Sequence, residues 1–201
     1  DAYLYHSFDS ATGPYLGSEF ATFLMFTGSF VPAVKNNGGT FGTSQFFAFT
    51  PPNARCAGKL DLCTAGVTYC WWMKMIQGPT YSATSSELIM FTNIITMETF
   101  ANGIFSISLR NKNTAKMFRH DFPIAWNQWV HFGVTWDNPT NVMKFYINGV
   151  LAATPAETAA GTTVENNYGI AGTANYHFMV DEWYVFEKIK SVSAIQFLAG
   201  V

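Results

Sequence analysis

The feature that most constrains the fold is an alternating apolar run followed by a hairpin signal. From Trp129 to Trp136, large apolar residues occupy every second position, which is the period of a half-buried β-strand. The turn-forming segment Asp137–Pro139 follows, and Val142–Asn148 alternates again. Asn148-Gly149 then supplies the two positive-φ residues of a type I′ turn before the chain returns through Val150–Ala152. The pattern predicts antiparallel strands.

The composition supports an all-β fold and excludes several kinds of partner. Of the 201 residues, 17% are aromatic and only 12% are charged, and aromatic residues favour pleated surfaces. The net charge of −2 and the pI of about 6.1 argue against a nucleic-acid partner, which requires a basic face. No run reaches the ~20 apolar residues of a membrane span, so we expect no direct membrane insertion. Because no signal peptide precedes the first strand, we expect a mature or excised segment.

Short β-type runs separated by turn signals continue along the chain and predict one domain, residues 1–201. We expect strands near 2–8, 20–26, 45–50, 66–76, 87–93, 103–110, 115–119, 129–136, 142–148, 150–154 and 177–186. Asn36–Thr40 and residues 155–166 have loop composition. At the C terminus, Ser193 and Gln196 fit the capping box of a short helix. The predicted fold is therefore a two-sheet antiparallel sandwich with a short C-terminal helix.

The three cysteines predict one disulfide and one free thiol. Cys56 and Cys63 bound a segment with Gly and polar residues, which suits a small disulfide-closed loop that would contribute roughly 2–3 kcal/mol by the chain-entropy model. Cys70 lies within the apolar run Val67–Met73 and is expected to be a buried free thiol. The alternative is that all three cysteines are reduced in a cytosolic protein. Zinc is not expected, because CxxC and His-containing metal spacings are absent.

Several segments between residues 5 and 195 match, in order, the motifs of one known family. They are an opening strand at Tyr5–Ser10, a strand after the cysteine loop at Val67–Lys74, a W-x-H strand and Y-h-N-G hairpin within Trp126–Gly149, and a closing strand and helix within Val180–Ile195. Together these segments resemble the laminin G-like and pentraxin family of the concanavalin A-like superfamily. The resemblance implies a jelly roll in an extracellular protein. It leaves the function open, because lectins, receptor modules, matrix domains and glycan-cleaving enzymes share this fold.

Two aspartates are candidate ligands of a structural metal. With regular alternation, the Asp181 carboxylate lies on the face of Met179, Trp183 and Val185, where an unpaired charge would be costly. In the resembling family, the first and last strands are neighbours, and the aspartate of the closing motif often helps to bind calcium. Asp9 follows the first strand and would join backbone carbonyls in a shell of oxygen ligands. Calcium is the one cofactor expected. The alternative is that both aspartates only tie down loops.

Six further residues are candidates for ligand contact: Asp137, Asn138, Asn141, Arg110, Lys112 and Trp126. The first three form the turn before the hairpin, at the rim of the predicted sandwich, although turn chemistry alone also explains them. The two basic residues begin a stretch that continues to Lys116 and Arg119. That stretch would meet an acidic glycan or form a solvated hairpin face. Trp126 would stack on a sugar ring or pack in the core.

The carboxylates do not show the pattern of a glycan hydrolase. No E-x-D-x-x-E strand is present, Glu87 and Glu98 lack a partner at strand spacing, and Asp181 and Glu182 should point to opposite faces. We therefore predict a non-catalytic extracellular recognition or adhesion module of a larger receptor or matrix protein, which binds a protein or a glycan. The alternative is a structural self-association domain that forms homo-oligomers through an apolar surface. A glycan-cleaving enzyme is the least favoured interpretation.

Overall fold

The computed structural model describes residues 4–6, 22–26, 29–34, 37–41, 46–50, 63–78, 82, 87–91, 95–100, 102–111, 116–159, 169–171, 173 and 175–201. Within these ranges the chain forms two eight-stranded sheets and one helix. Neighbouring strands pair in antiparallel fashion throughout, as in the β11–β6 and β9–β10 pairs. The predicted all-β sandwich with a short C-terminal helix is confirmed.

Sheet A carries the first and last strands of the chain. Its strands are β1 (Leu4–His6), β3 (Ser29–Pro32), β4 (Asn37–Phe41), β6 (Val67–Gln77), β11 (Trp129–Asp137), β12 (Val142–Ile147), β13 (Val150–Ala153) and β16 (Tyr176–Phe186). The order is β13-β12-β11-β6-β16-β4-β3, and β1 also pairs with β16. The first and last strands are therefore neighbours, as the resemblance implied.

Sheet B lies on the other side of the core. Its strands are β2 (Thr22–Phe26), β5 (Phe46–Thr50), β7 (Glu87–Phe91), β8 (Ile95–Phe100), β9 (Ile104–Asn111), β10 (Lys116–Pro123), β14 (Thr158–Ala159) and β15 (Gly169–Ala171). The order is β14-β10-β9-β8-β7-β15-β5-β2. Consecutive strands β7 to β10 form a meander, and the candidate site described below lies on this part of the sheet.

Aromatic and aliphatic side chains of both sheets fill the space between them. At the centre Trp71 is completely buried, with its ring centroid 4.9 Å from that of Trp183 and 5.5 Å from that of Phe132. Phe105 of sheet B packs edge-to-face on Phe132 of sheet A at 5.4 Å. Large rings of this kind bridge the ~10 Å separation between packed sheets.

The β12–β13 hairpin has the predicted turn. Asn148 and Gly149 both have positive φ, 47° and 77°, and Ile147 pairs directly with Val150. This geometry matches the type I′ turn that the Asn-Gly dipeptide favours. The side-chain oxygen of Asn148 also accepts a hydrogen bond from the His131 backbone N–H at 2.9 Å, which ties the turn to β11.

Five strands lie where none was predicted. The glycine-rich Asn36–Thr40 segment was expected to be a loop, but Asn37–Phe41 forms β4, because it pairs with β3 on one side and β16 on the other. The expected loop 155–166 contains the short strand β14, and β3, β8 and β15 were not expected at all. Pairing with neighbours overrides the weak β propensity of the glycines in β4.

The C-terminal helix α1 (Val192–Leu198) begins two residues earlier than predicted. Its N-cap is Ser191, whose hydroxyl accepts a hydrogen bond from the Ala194 N–H at 3.2 Å. The Thr68 hydroxyl donates to the Lys188 carbonyl and accepts from the Lys190 N–H, so sheet A fixes the chain just before the cap. Among the described residues no helix is long and apolar enough to span a membrane.

Candidate functional site

The outer side of sheet B carries a cluster of polar side chains. Inward positions of β8, β9 and β10 hold buried residues such as Met97, Ile107 and Phe118, so the alternate positions face outward. Strand register aligns the outward residues in cross-strand rows. The cluster, called the polar face below, comprises Thr96, Glu98, Phe100, Ser106, Ser108, Arg119 and Asp121.

Arg119 and Asp121 form the charged centre of the polar face. The Arg119 Nε donates to Asp121 Oδ1 at 2.8 Å, and Nη2 lies 3.4 Å from Oδ2. The Ser106 hydroxyl donates to the same Oδ1 at 2.7 Å. The Arg119 guanidinium carbon lies 4.4 Å from the centroid of the Phe100 ring, a cation–π distance. The pair is therefore oriented by two neighbours, Ser106 and Phe100, while remaining accessible, with side chains 33% and 50% exposed.

The pKa of Asp121 reflects this environment. Partial burial alone would raise the pKa, but the hydrogen bonds from Arg119 and Ser106 and the positive charge of Arg119 outweigh it and lower the pKa below 3.8. The carboxylate is therefore ionised at neutral pH and accepts hydrogen bonds without donating any.

A shallow cavity of about 390 Å³ lies beside this pair. Its walls are Met117, Arg119, His120, Asp121, Ala156 and Thr158. Ser106 and Ser108, on the neighbouring strand β9, are only 1% and 3% exposed, so they support the charged pair from beneath. The recess thus offers an ionised carboxylate, a guanidinium and the Thr158 hydroxyl.

Glu98 shares a cross-strand row with a second carboxylate, which its sequence position did not reveal. It lies opposite Ser106, and Ser106 lies opposite Asp121 on the next strand, so the two carboxylic acids flank one serine in a single row. The prediction concerned carboxylates along one strand, and β8 carries no carboxylate besides Glu98; the register adds Asp121 from two strands away. Sequence alternation within each strand signals an outward polar residue, but only the register of β8, β9 and β10 joins the three strands into one face.

The predicted rim turn is a hydrogen-bonded structural element. The Thr140 hydroxyl donates to Asp137 at 2.6 Å, and the Asn138 amide donates to the Cys63 carbonyl at 3.2 Å. Asn141 has a φ of 52°; its side chain accepts from the Trp136 indole N–H and donates to Glu157. These contacts explain Asp137, Asn138 and Asn141 by turn chemistry, and a ligand role for them stays a prediction.

Of the remaining ligand candidates, the structure describes only the side chain of Trp126. Trp126 is half-buried and stacks on Tyr176, with a centroid distance of 6.1 Å and an interplanar angle of 10°, so one face of its ring belongs to the core. Arg110 lies in β9 with its side chain outside the described part of the molecule, and Lys112 lies outside it entirely. Arg119, from the same basic stretch, is neutralised by Asp121.

Asp181 does not lie on the face that regular alternation predicts. Asp181 pairs with Trp72 and Tyr184 pairs with Cys70, so Glu182 and Trp183 together oppose the single residue Trp71. This is a β-bulge, and Glu182 has the positive φ of 52°. The bulge turns Trp183 into the core, whereas Asp181 stays on the outer side with its pairing partner Trp72. The expectation that Asp181 shares a face with Trp183 and Val185 is wrong.

Two carboxylates are buried at this bulge. Asp181 is fully buried and Glu182 is 4% exposed; the Tyr184 hydroxyl donates a hydrogen bond to Glu182. Carboxylate oxygens are the ligands that calcium prefers, so the residues fit that metal. Among the described residues no three carboxylate, histidine or cysteine side chains form a cluster suited to a metal. Asp9 lies outside the described residues, and the calcium site stays a prediction.

The free thiol at Cys70 is confirmed. Cys70 is fully buried beneath α1. Burial raises its pKa to about 12, and the positive charge of Lys190 only partly opposes that rise. Cys63 is also buried, at 1% exposure. Its predicted disulfide partner, Cys56, lies outside the described residues, so the pairing stays a prediction.

Comparison with solved structures shows the fold. The receptor-binding domain of botulinum neurotoxin type G has a TM-score of 0.73 at 12% identity over 100% of this chain and 51% of its own. The botulinum neurotoxin serotype D binding domain has a TM-score of 0.75 at 16% identity, covering 99% and 51%. The DC binding domain solved with rat synaptotagmin II has a TM-score of 0.75 at 15% identity, again covering 99% and 51%. The chain spans about half the length of these domains.

The family assignment rests on sequence as well as fold. No curated protein matches the chain. A family profile, Laminin_G_3, described as the concanavalin A-like lectin/glucanases superfamily, matches residues 42–196. This range covers more than half of the 201 residues and includes β5 to β16 and most of α1. The chain belongs to the concanavalin A-like lectin/glucanase superfamily.

Proposed function

We propose that this domain is a non-catalytic extracellular recognition module that binds a glycan through the polar face of sheet B. The observation that supports this function best is the arrangement of Ser106, Arg119 and Asp121 beside a recess of about 390 Å³. An ionised carboxylate and a guanidinium accept from and donate to sugar hydroxyls with charge-assisted hydrogen bonds. Because Arg119 and Asp121 cancel each other's charge, the proposed ligand is a neutral sugar rather than an acidic one.

The known ligands of similar folds support the ligand class. Botulinum neurotoxin DC binding domains have been solved with rat synaptotagmin II and with SialylT. A title on botulinum neurotoxin type C describes interaction with two ganglioside molecules. Those partners are a protein and sialic-acid-bearing glycans. They support a glycan as the ligand class, whereas the neutral charge of the proposed sugar rests on the Arg119–Asp121 pair alone.

A glycan array followed by calorimetry tests the proposal. Asp121→Asn removes the charge that orients Arg119, and we expect the affinity for the best neutral glycan to fall at least tenfold, which corresponds to about 1.4 kcal/mol. Asp137→Asn is the matched control, because it makes the same change in the rim turn, and should alter affinity less than twofold. If Asp137→Asn weakened binding more than Asp121→Asn, the site would lie at the rim turn and the proposal would be contradicted.

We also propose that the domain has no catalytic activity. Glu98 and Asp121 face each other across Ser106, but Arg119 and Ser106 already bind both Asp121 oxygens. A hydrolase needs one carboxyl group to protonate the leaving group and the other to act as base or nucleophile. We expect no reducing-sugar release from polysaccharides; release that disappears in Glu98→Gln would overturn this part.

The extracellular location is supported by the predicted Cys56–Cys63 disulfide, since disulfides persist in oxidising compartments. Peptide mapping of a non-reduced digest is expected to recover the two cysteine peptides linked and Cys70 alkylated only after unfolding. A bridge that includes Cys70, or three reduced cysteines in protein recovered from culture medium, would contradict the assignment.

Self-association is the second candidate function. The edge strand β13 exposes Val150 and Leu151, which are 66% and 51% exposed. Phe197 and Val201 are 81% and 73% exposed, and Val201 lies against the same hairpin at Gly149. An apolar edge strand can pair antiparallel with a second copy about a two-fold axis. Sedimentation equilibrium is expected to show a dimer that Leu151→Lys disrupts; a monomer at all concentrations would exclude this function.

A further inference from the structure

An apolar cleft of about 270 Å³ opens between the two sheets at the end opposite the rim turn. Sheet A contributes two register pairs, Met73 with Val130 and Phe132 with Ile147. Sheet B contributes the pair Phe105 and Phe122. The deep walls are within the core, as Met73 and Phe105 are 1% and 2% exposed.

The connection between β10 and β11 holds the mouth of the cleft open. Ile124 and Ala125 lie in its wall. The Ile124 N–H donates to the Gly103 carbonyl and the Asn127 N–H to the Met75 carbonyl, both at 2.8 Å. The connection is thus fixed to both sheets, and the cleft is preformed, which lowers the entropy cost of binding.

Among the described residues, those that line the cleft include no charged side chain. Its polar side chains are Gln128 and Asn148, which are both exposed. The Asn148 side-chain oxygen already accepts from the His131 N–H, so its NH₂ group is what remains for a ligand. An apolar cavity of ~150 Å³ accommodates a benzene-sized molecule, so 270 Å³ accommodates a longer apolar group.

We infer that this cleft binds the alkyl chain of an amphiphile with an uncharged head group. The apolar walls of the cleft suit a flexible unbranched chain, and the two amides at the mouth hydrogen-bond a hydroxyl-bearing head group. A charged head group would find no counter-ion among the described lining residues. The site is separate from the polar face, because its walls are inward-facing residues.

Calorimetry with a series of alkyl β-glucosides below their micelle concentrations tests the inference. From hexyl to decyl, we expect one binding site whose Kd depends on chain length and falls two- to fourfold per methylene, the upper value corresponding to ~0.8 kcal/mol. The heat-capacity change should be negative. Methyl β-glucoside reports on the polar face alone, so its binding or failure to bind tests the proposed function separately. A Kd that does not depend on chain length would overturn the cleft.

Variants locate the binding. Val130→Phe fills the cleft and should weaken decyl β-glucoside binding at least tenfold, whereas Val150→Phe, the same change at an exposed position of sheet A, should leave Kd unchanged. Ala125→Phe fills the cleft from the connection and covers the case in which Val130→Phe does not fold. Wild-type affinity in both cleft variants, or decanoate bound as tightly as decyl β-glucoside, would contradict the inference.

Discussion

The outer faces of the two sheets differ in the side chains that they carry and in what packs on them. On sheet A, α1 covers the middle of the sheet: Ile195 is fully buried against Cys70 and Tyr146, and the Trp72 indole N–H donates to the Leu198 carbonyl at 3.3 Å. On sheet B, the described part of the corresponding surface carries the Arg119–Asp121 pair at 33% and 50% side-chain exposure. One face is covered by apolar packing, and the other carries a charged pair that is partly exposed.

Side-chain size explains how α1 comes so close to sheet A. A Cβ atom at Gly133 would lie 3.1 Å from Ile195 Cγ2 and 3.3 Å from Tyr146 Cβ, which leaves no room for a larger residue without a shift of the helix. On sheet B the small residues are Ser106 and Ser108, and their hydroxyls remain hydrogen-bonding groups. The comparison teaches that a small residue permits close helix packing on sheet A, whereas on sheet B a small residue, Ser106, hydrogen-bonds the charged pair.

The largest effect is expected where the helix seals sheet A. Ile195→Ala should lower the free energy of unfolding by about 3 kcal/mol, since it removes fully buried methyl groups and leaves a cavity. It should also expose Cys70 to thiol reagents, which the wild-type structure excludes. Denaturant unfolding and thiol labelling measure the two effects. Phe197→Ala is the control, because Phe197 is 81% exposed on the same helix, and it should change stability by less than about 0.5 kcal/mol. Equal losses in both variants would contradict the comparison.

The second-largest effect on stability is expected at the buried bulge of sheet A. If calcium binds at Asp181, stability should rise by roughly 2.7 kcal/mol when free calcium is a hundred times its Kd, and the melting temperature should fall with chelator. Asp181→Asn should lose most of this response and Asp9→Asn part of it. A melting temperature indifferent to calcium and chelator would end the metal hypothesis and leave Asp181 a structural residue.

The polar face of sheet B should matter little for stability. Arg119→Ala removes an exposed ion pair, and such pairs contribute roughly 0–1 kcal/mol. We expect a small shift in the urea midpoint together with a clear loss of glycan affinity. A loss of stability comparable to that of Ile195→Ala would show that this face is structural and would break the contrast between the sheets.

The smallest effect is the pH dependence of Asp121. Its pKa in the folded state lies below the ordinary value of 3.8, so its stabilising contribution is present above that value and is lost as the pH falls through the lower folded-state pKa. Solvent screening keeps the contribution small. Between pH 5 and pH 2, Asp121→Asn should therefore lose slightly less stability than the wild type. An identical pH profile would mean that the hydrogen bonds from Arg119 and Ser106 do not persist in solution.

The sequence by itself determined the features that depend on near neighbours in the chain. Alternation over Trp129–Trp136 and the Asn148-Gly149 turn predicted β11 and its hairpin, because strand period and turn conformation are local properties. The apolar run around Cys70 predicted a buried thiol for the same reason. The order of short motifs along the chain was also enough to relate the chain to its superfamily.

The tertiary structure decided everything that depends on which strands are neighbours. The bulge at Glu182 reverses the side of β16 on which Trp183 lies. No sequence pattern within the strand predicts this bulge. Asn37–Phe41 is a strand because β3 and β16 pair with it on both sides. Glu98, Ser106 and Asp121 come from three strands and form one row only through their register. Hydrogen bonds between distant strands fix that register, so the candidate binding face could be read only after the sheets had been assembled.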